Sequence, residues 1–144
     1  MASADQNPSD GILEGGCLCG AIRYRLTPDN ATTDYCHCDM CRRWSGAPLT
    51  AWTQVPIDQF QVTRGTAATF KSSDIASRHF CRDCGTPVYM TDVTGRSVGV
   101  MIGTLDNANA LAPSGHGWAS KQVSWLALSD HLPRWPENPP YDTD

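Results

Sequence analysis

The sequence is short of positive charge: 11 Lys and Arg stand against 15 Asp and Glu in 144 residues, for a formal net charge of -4. No basic field is available to attract phosphate backbones or anionic membranes, so sequence-independent nucleic-acid binding is not expected. Long hydrophobic runs are missing as well. No stretch reaches the roughly 18 uninterrupted apolar residues that a membrane span needs. Residues 1–11 have neither the basic start nor the apolar centre of a secretory signal, so the expected location is the cytoplasm. Nor does any repeat, linker or block of like charge divide the chain. The expectation is one domain over residues 12–135, between flexible tails at 1–11 and 136–144.

Helical periodicity is equally scarce, and only 39–45 and 106–111 suit short helical turns. Strand signals are what the chain does contain. Residues 21–26 alternate apolar and polar, and 49–55, 59–63, 67–71, 87–91 and 97–102 are short, β-rich and bounded by Gly, Pro, Asp or Ser. With 12 Gly and 10 Pro beside a 40% hydrophobic share, the composition fits a loop-rich, mainly antiparallel β fold rather than disorder. So small a core calls for additional cross-linking.

Seven cysteines are the informative residues, because an odd number cannot all pair and a reducing compartment leaves thiols free for metal. They fall into Cys17 and Cys19, then Cys36, Cys38 and Cys41, then Cys81 and Cys84. A structural zinc takes four ligands, whereas a catalytic zinc takes three and leaves one position to water or substrate. Gly20 follows Cys19 and Gly85 follows Cys84, but Arg42 follows Cys41. A glycine there permits the positive φ of a tight metal knuckle, so Cys17, Cys19, Cys81 and Cys84 read as one structural zinc site. It would close about 60 residues of chain, converting binding free energy into folding free energy.

The remaining Cys36, Cys38 and Cys41 read as an open, catalytic zinc site. In extended chain Cys36 and Cys38 share a face only if His37 points away from it. Two positive charges against three thiolates leave the unit at minus one, a weak Lewis acid suited to holding an incoming thiol as its nucleophilic thiolate. Arg42 and Arg43 are candidates to offset that charge or clamp a substrate carboxylate, and Trp44 is a candidate wall of the site. Other arrangements stay open at this point. His37, His79, His116 or His131 would close a second structural site, and a disulfide between Cys41 and Cys36 or Cys38 would make it redox-active.

Together Gly16-Cys17-Leu18-Cys19-Gly20, Cys36-His37-Cys38-Asp39-Met40-Cys41-Arg42-Arg43 and Phe80-Cys81-Arg82-Asp83-Cys84-Gly85-Thr86-Pro87 resemble the glutathione-dependent formaldehyde-activating enzyme family, which includes the centromere protein V domain. The likeness continues through Gly103-Thr104-Leu105-Asp106, His116, Lys121, Trp125 and Asp130-His131-Leu132-Pro133, about residues 15–133. One departure is Gly117, where such proteins more often carry an apolar residue. The resemblance implies a zinc-stabilised β-tent fold of stacked sheets and two Zn2+ divided as above. It also implies a carbon-sulfur lyase type of chemistry with glutathione as co-substrate, joining it to formaldehyde as S-hydroxymethylglutathione. The alternative is a noncatalytic zinc-stabilised module that binds proteins or chromatin, and the acidic charge weighs against chromatin.

Overall fold

The computed structural model describes residues 11–141, so all of the expected N-terminal tail except Gly11, and residues 142–144, lie outside the described residues. Among these described residues ten strands form two sheets: β1 (Leu13–Gly16), β2 (Arg23–Leu26), β3 (Thr32–Cys36), β4 (Thr50–Pro56), β5 (Phe60–Arg64), β6 (Ala68–Lys71), β7 (Ala76–Phe80), β8 (Pro87–Asp92), β9 (Ser97–Met101) and β10 (His116–Gly117). One sheet runs β1-β2-β5 and the other β10-β3-β4-β9-β8-β7-β6. All pairings are antiparallel except β10 with β3. Among the described residues a single α-helix, α1 (Asp39–Ser45), links β3 to β4. None of the described helices is long and apolar enough to cross a membrane.

The core is built by strand alternation. Tyr24 and Leu26 of β2 bury on the same side as Ile22 before it, and meet Val55, Val88, Val98 and Val100 from the larger sheet. Each such side chain contributes about 1.5–3 kcal/mol on leaving water. Residues 102–106 fasten the small sheet to the large one. The Asp106 N–H donates to the Glu14 carbonyl at 2.9 Å, the Asp106 carboxylate takes both terminal nitrogens of Arg23, and Tyr24 and Thr104 hydroxyls bond at 2.6 Å. These ties hold 106–111 in turns rather than the helical turn its composition suggests.

The closeness of this joint gives a first prediction. A Cβ on Gly15 would stand 2.4 Å from the Thr104 carbonyl oxygen and 2.5 Å from the Tyr24 hydroxyl. Gly15→Ala should therefore destabilise the protein by about 1–3 kcal/mol, measured by denaturant melting. An unchanged midpoint would mean the sheets separate more easily than their contacts require.

The C-terminal segment departs from expectation. Residues 136–141, taken from sequence as tail, are tied to the domain through backbone and side-chain bonds. Trp118 N–H donates to Glu137 O at 2.9 Å, Trp118 Nε1 donates to Asn138 Oδ1 at 2.8 Å, Tyr141 donates to Asp34, and Tyr141 packs edge-on against Trp135. A Cβ on Gly117 would press Pro139 Cδ at 3.2 Å, so the departure from an apolar residue there gives this segment room to seat.

Candidate metal centres and the adjoining cavity

Two turns bring the first cysteine group together. Cys17 and Cys19 lie in the β1–β2 connection, and Cys81 and Cys84 in the β7–β8 connection. Gly20 and Gly85 take φ +82° and +79°, the left-handed conformation the sequence demands of a knuckle. Their N–H groups turn back onto the Cys17 and Cys81 carbonyls at 3.1 and 2.8 Å. Cys17 Sγ lies 3.7 Å from Cys19 Sγ, which lies 3.8 Å from Cys81 Sγ. Tetrahedral zinc with bonds of about 2.3 Å spaces its sulfurs by about 3.8 Å, while a disulfide needs about 2.05 Å. The four sulfurs fit zinc.

The surroundings supply donors for negative sulfur. Ile22 N–H donates to Cys17 Sγ at 3.2 Å and Asp83 N–H to Cys81 Sγ at 3.4 Å. The Thr86 hydroxyl, 3.2 Å from Cys84 Sγ, leads the hydrogen bonds that hold the Cys84 thiol down to about 5.

The second group sits where β3 gives way to α1. Cys36 ends the strand, Cys38 is the helix N-cap, and Cys41 is buried in the first turn. The Cys38 sulfur accepts the Cys41 N–H at 3.3 Å, so it caps the helix as well as facing its neighbours. One sulfur from each of the three residues falls within 4.8 Å of the others. Hydrogen bonds from the Cys36 and Cys38 thiols, and then the charge of Arg78, hold Cys41 well below the ordinary thiol range, whereas Cys36 is pushed up.

Arg78 is the residue that sequence reasoning missed. It lies mid-strand in β7, 4% exposed, with both terminal nitrogens toward Cys41 Sγ at 3.7 and 3.8 Å. The guanidinium lies over the rings of Trp44 and Trp52 at 5.2 and 6.0 Å, and the two indoles stack with centroids 6.1 Å apart.

The four histidines are placed away from the sulfurs. His37 and His116 are both fully buried, with His37 Nε2 2.9 Å from His116 Nδ1 and His116 Nε2 2.8 Å from Asp130 Oδ2. An ionised Asp130 accepts from His116 Nε2, which leaves His116 Nδ1 to accept from His37 Nε2. Burial, and then the positive charge of Arg134, lower His37 to about 4, which favours its neutral form. His79 bonds to Thr69 and Thr91, and His131 is exposed. The group of possible metal ligands at 36–41 contains no histidine.

A cavity of about 230 Å³ opens beside the three sulfurs. Tyr35, Trp52, Met90 and Trp118 are among its apolar walls, and Cys36, Cys38, Cys41 and Arg78 form its chemically active end. The three substrate contacts expected from sequence stand outside this lining. Arg42 and Arg43 border a separate shallow depression with Pro48 and Trp125, and Trp44 is packed behind Trp52 and Arg78. The helix turns Arg42 and Arg43 away because only Cys41 among its residues is buried.

Comparison with known proteins agrees with this architecture. A protein of Schizosaccharomyces pombe named as an uncharacterized lyase is 36% identical over 86 residues, covering 58% of this chain and 61% of that protein. A Halomonas elongata protein, provisionally named a glutathione-dependent formaldehyde-activating enzyme, is 29% identical over 89 residues, covering 56% of this chain and 57% of its own. The matches thus span about three fifths of the length of these relatives. A crystal structure of a Rhodobacter sphaeroides protein shares the fold, with a TM-score of 0.56 at 24% identity over 67% of this chain and 91% of that one. The family model for the glutathione-dependent formaldehyde-activating enzyme matches residues 12–121, including both cysteine groups and Arg78, and the chain belongs to that family.

Proposed function

We propose that this chain is a zinc-dependent enzyme of the carbon-sulfur lyase type that acts on the adduct of a thiol and an aldehyde. Glutathione and formaldehyde, which give S-hydroxymethylglutathione, are the reactants favoured by the family. The observation that carries this reading is the combination of three converging sulfurs with a cavity at their open side and no histidine among the grouped ligands. Cys17, Cys19, Cys81 and Cys84 would hold a structural Zn2+, and Cys36, Cys38 and Cys41 a catalytic one. Zinc in the second place, when bound, supplies a Lewis acid that favours the thiolate form of a guest thiol.

The chain's own residues do the rest. The apolar walls at Tyr35, Trp52 and Met90 exclude water around the reacting atoms, and confinement replaces a bimolecular encounter with a positioned one. The His37–His116–Asp130 chain fixes the peptide between Cys36 and Cys38, with His37 N–H also bonded to the Gly117 carbonyl at 3.1 Å. Arg42 and Arg43 remain available only to groups that extend beyond the cavity.

Cobalt substitution tests the reading. Adding glutathione at millimolar concentration to the cobalt-loaded protein should change the cobalt ligand-field and sulfur-to-metal absorption. An unchanged spectrum would overturn the enzyme in favour of a noncatalytic zinc-stabilised module.

A further inference from the structure

We propose that Arg78 makes the three-cysteine centre selective for an anionic guest, a thiolate, over a neutral one; this rests on reading Cys36, Cys38 and Cys41 as an open zinc site. A buried guanidinium is costly unless an anion accompanies it. Among the described residues no carboxylate lies within ion-pair distance of Arg78, its two terminal nitrogens are spent on Cys41 Sγ, and its Nε has no hydrogen-bond partner. The counter-charge that keeps Arg78 buried is therefore the sulfur cluster itself.

The charge balance gives the functional consequence. Three thiolates and one divalent ion carry one negative charge, which Arg78 cancels. A thiolate entering the fourth position then raises the total to minus one, where without Arg78 it would reach minus two in a half-enclosed, low-dielectric space. A neutral guest adds no charge and gains nothing comparable.

The rest of the cavity sharpens the effect. Arg78 is the sole Lys or Arg along its described walls, while Asp34 and Asp92 are its acidic members. Both carboxylates already serve the fold, Asp34 accepting from Tyr141 and Asp92 from Thr94 and Gly95 in a turn. These two carboxylates work against an anionic guest, and Arg78 is the lining cation placed to favour one at the sulfurs. The aromatic pair Trp44 and Trp52 keeps the guanidinium in place.

The experiment compares wild type, Arg78→Met and Arg78→Lys in the cobalt-loaded form, each checked for two bound ions, by titrating a thiol and, separately, imidazole. Arg78→Met should bind the thiol at least about tenfold more weakly, about 1.4 kcal/mol, and imidazole within about threefold of wild type. Equal loss for both guests, or no loss for the thiol, would overturn the assignment while leaving the open site intact. Should Arg78→Met not fold, Arg78→Lys decides: retained charge should keep thiol affinity within about threefold of wild type, and a tenfold loss would contradict a charge effect. A wild-type spectrum unmoved by thiol would instead overturn the open site, and this assignment with it.

Discussion

Cys81→Ser should lower the melting temperature of the zinc-loaded protein by about 10–20 °C, the consequence of losing several kcal/mol from a domain of this size. Cys81 is 1% exposed and directly follows β7, and its sulfur lies 3.8 Å from Cys19 Sγ, 62 residues earlier in sequence. The four-sulfur centre thus joins the turn of the small sheet to a turn of the large one, alongside the hydrogen bond from Leu18 N–H to the Thr86 hydroxyl at 3.0 Å. Serine places a harder, shorter ligand there and weakens the cross-link. Thermal denaturation followed by circular dichroism measures the change. A shift of only a degree or two would mean that the apolar core and residues 102–106 hold the sheets without help from the four-sulfur centre.

Cys38→Ser should do the opposite: the second ion and all thiol response are lost, while the melting temperature falls by less than about 5 °C. The three ligands span one strand end and one helical turn, so their metal closes little chain and restricts the unfolded state little. Serine is also a favoured N-cap, so the bond from Cys41 N–H that Cys38 now accepts has a replacement. Metal analysis should find one ion per chain in this variant, with the four-cysteine centre still filled. Equal unfolding by Cys38→Ser and Cys81→Ser would mean that the division into structural and reactive centres is wrong.

Much of this was legible in the sequence because the decisive signals are local. The glycines at 20 and 85 announced their positive φ, Cys36 and Cys38 stand in the extended chain that a shared face requires, and residues 39–45 formed the helix that their pattern suggested, whereas the strand Thr32–Cys36 leading into it was not among the expected strands. The strands at Arg23–Leu26, Thr50–Pro56 and Pro87–Asp92 followed from alternation and β-rich composition.

What stayed hidden depends on distant partners. β7, with Ser77, Arg78 and His79 at its centre, has no apolar alternation, and Arg78 is buried only because Trp44, Trp52 and Cys41 arrive from other elements. β10 is two residues long and exists through parallel pairing with Tyr35 and Cys36. Arg42 and Arg43, nearest the thiols in sequence, were the natural cations to choose, yet a helical turn carries them to another face. The compensating charge came instead from 37 residues beyond Cys41. Likewise the His37–His116 contact bridges 79 residues, and no local spacing encodes it.

Zinc K-edge absorption spectroscopy tests the proposed asymmetry of the two centres most directly, because on that reading the seven cysteine sulfurs, shared between two ions, would leave one coordination position for a guest. Without added thiol the expected average is three and a half sulfurs per zinc, with the balance made up by oxygen, rising to four when thiol is added. Four sulfurs per zinc at a single ion per chain, or a nitrogen contribution that thiol fails to displace, would contradict it.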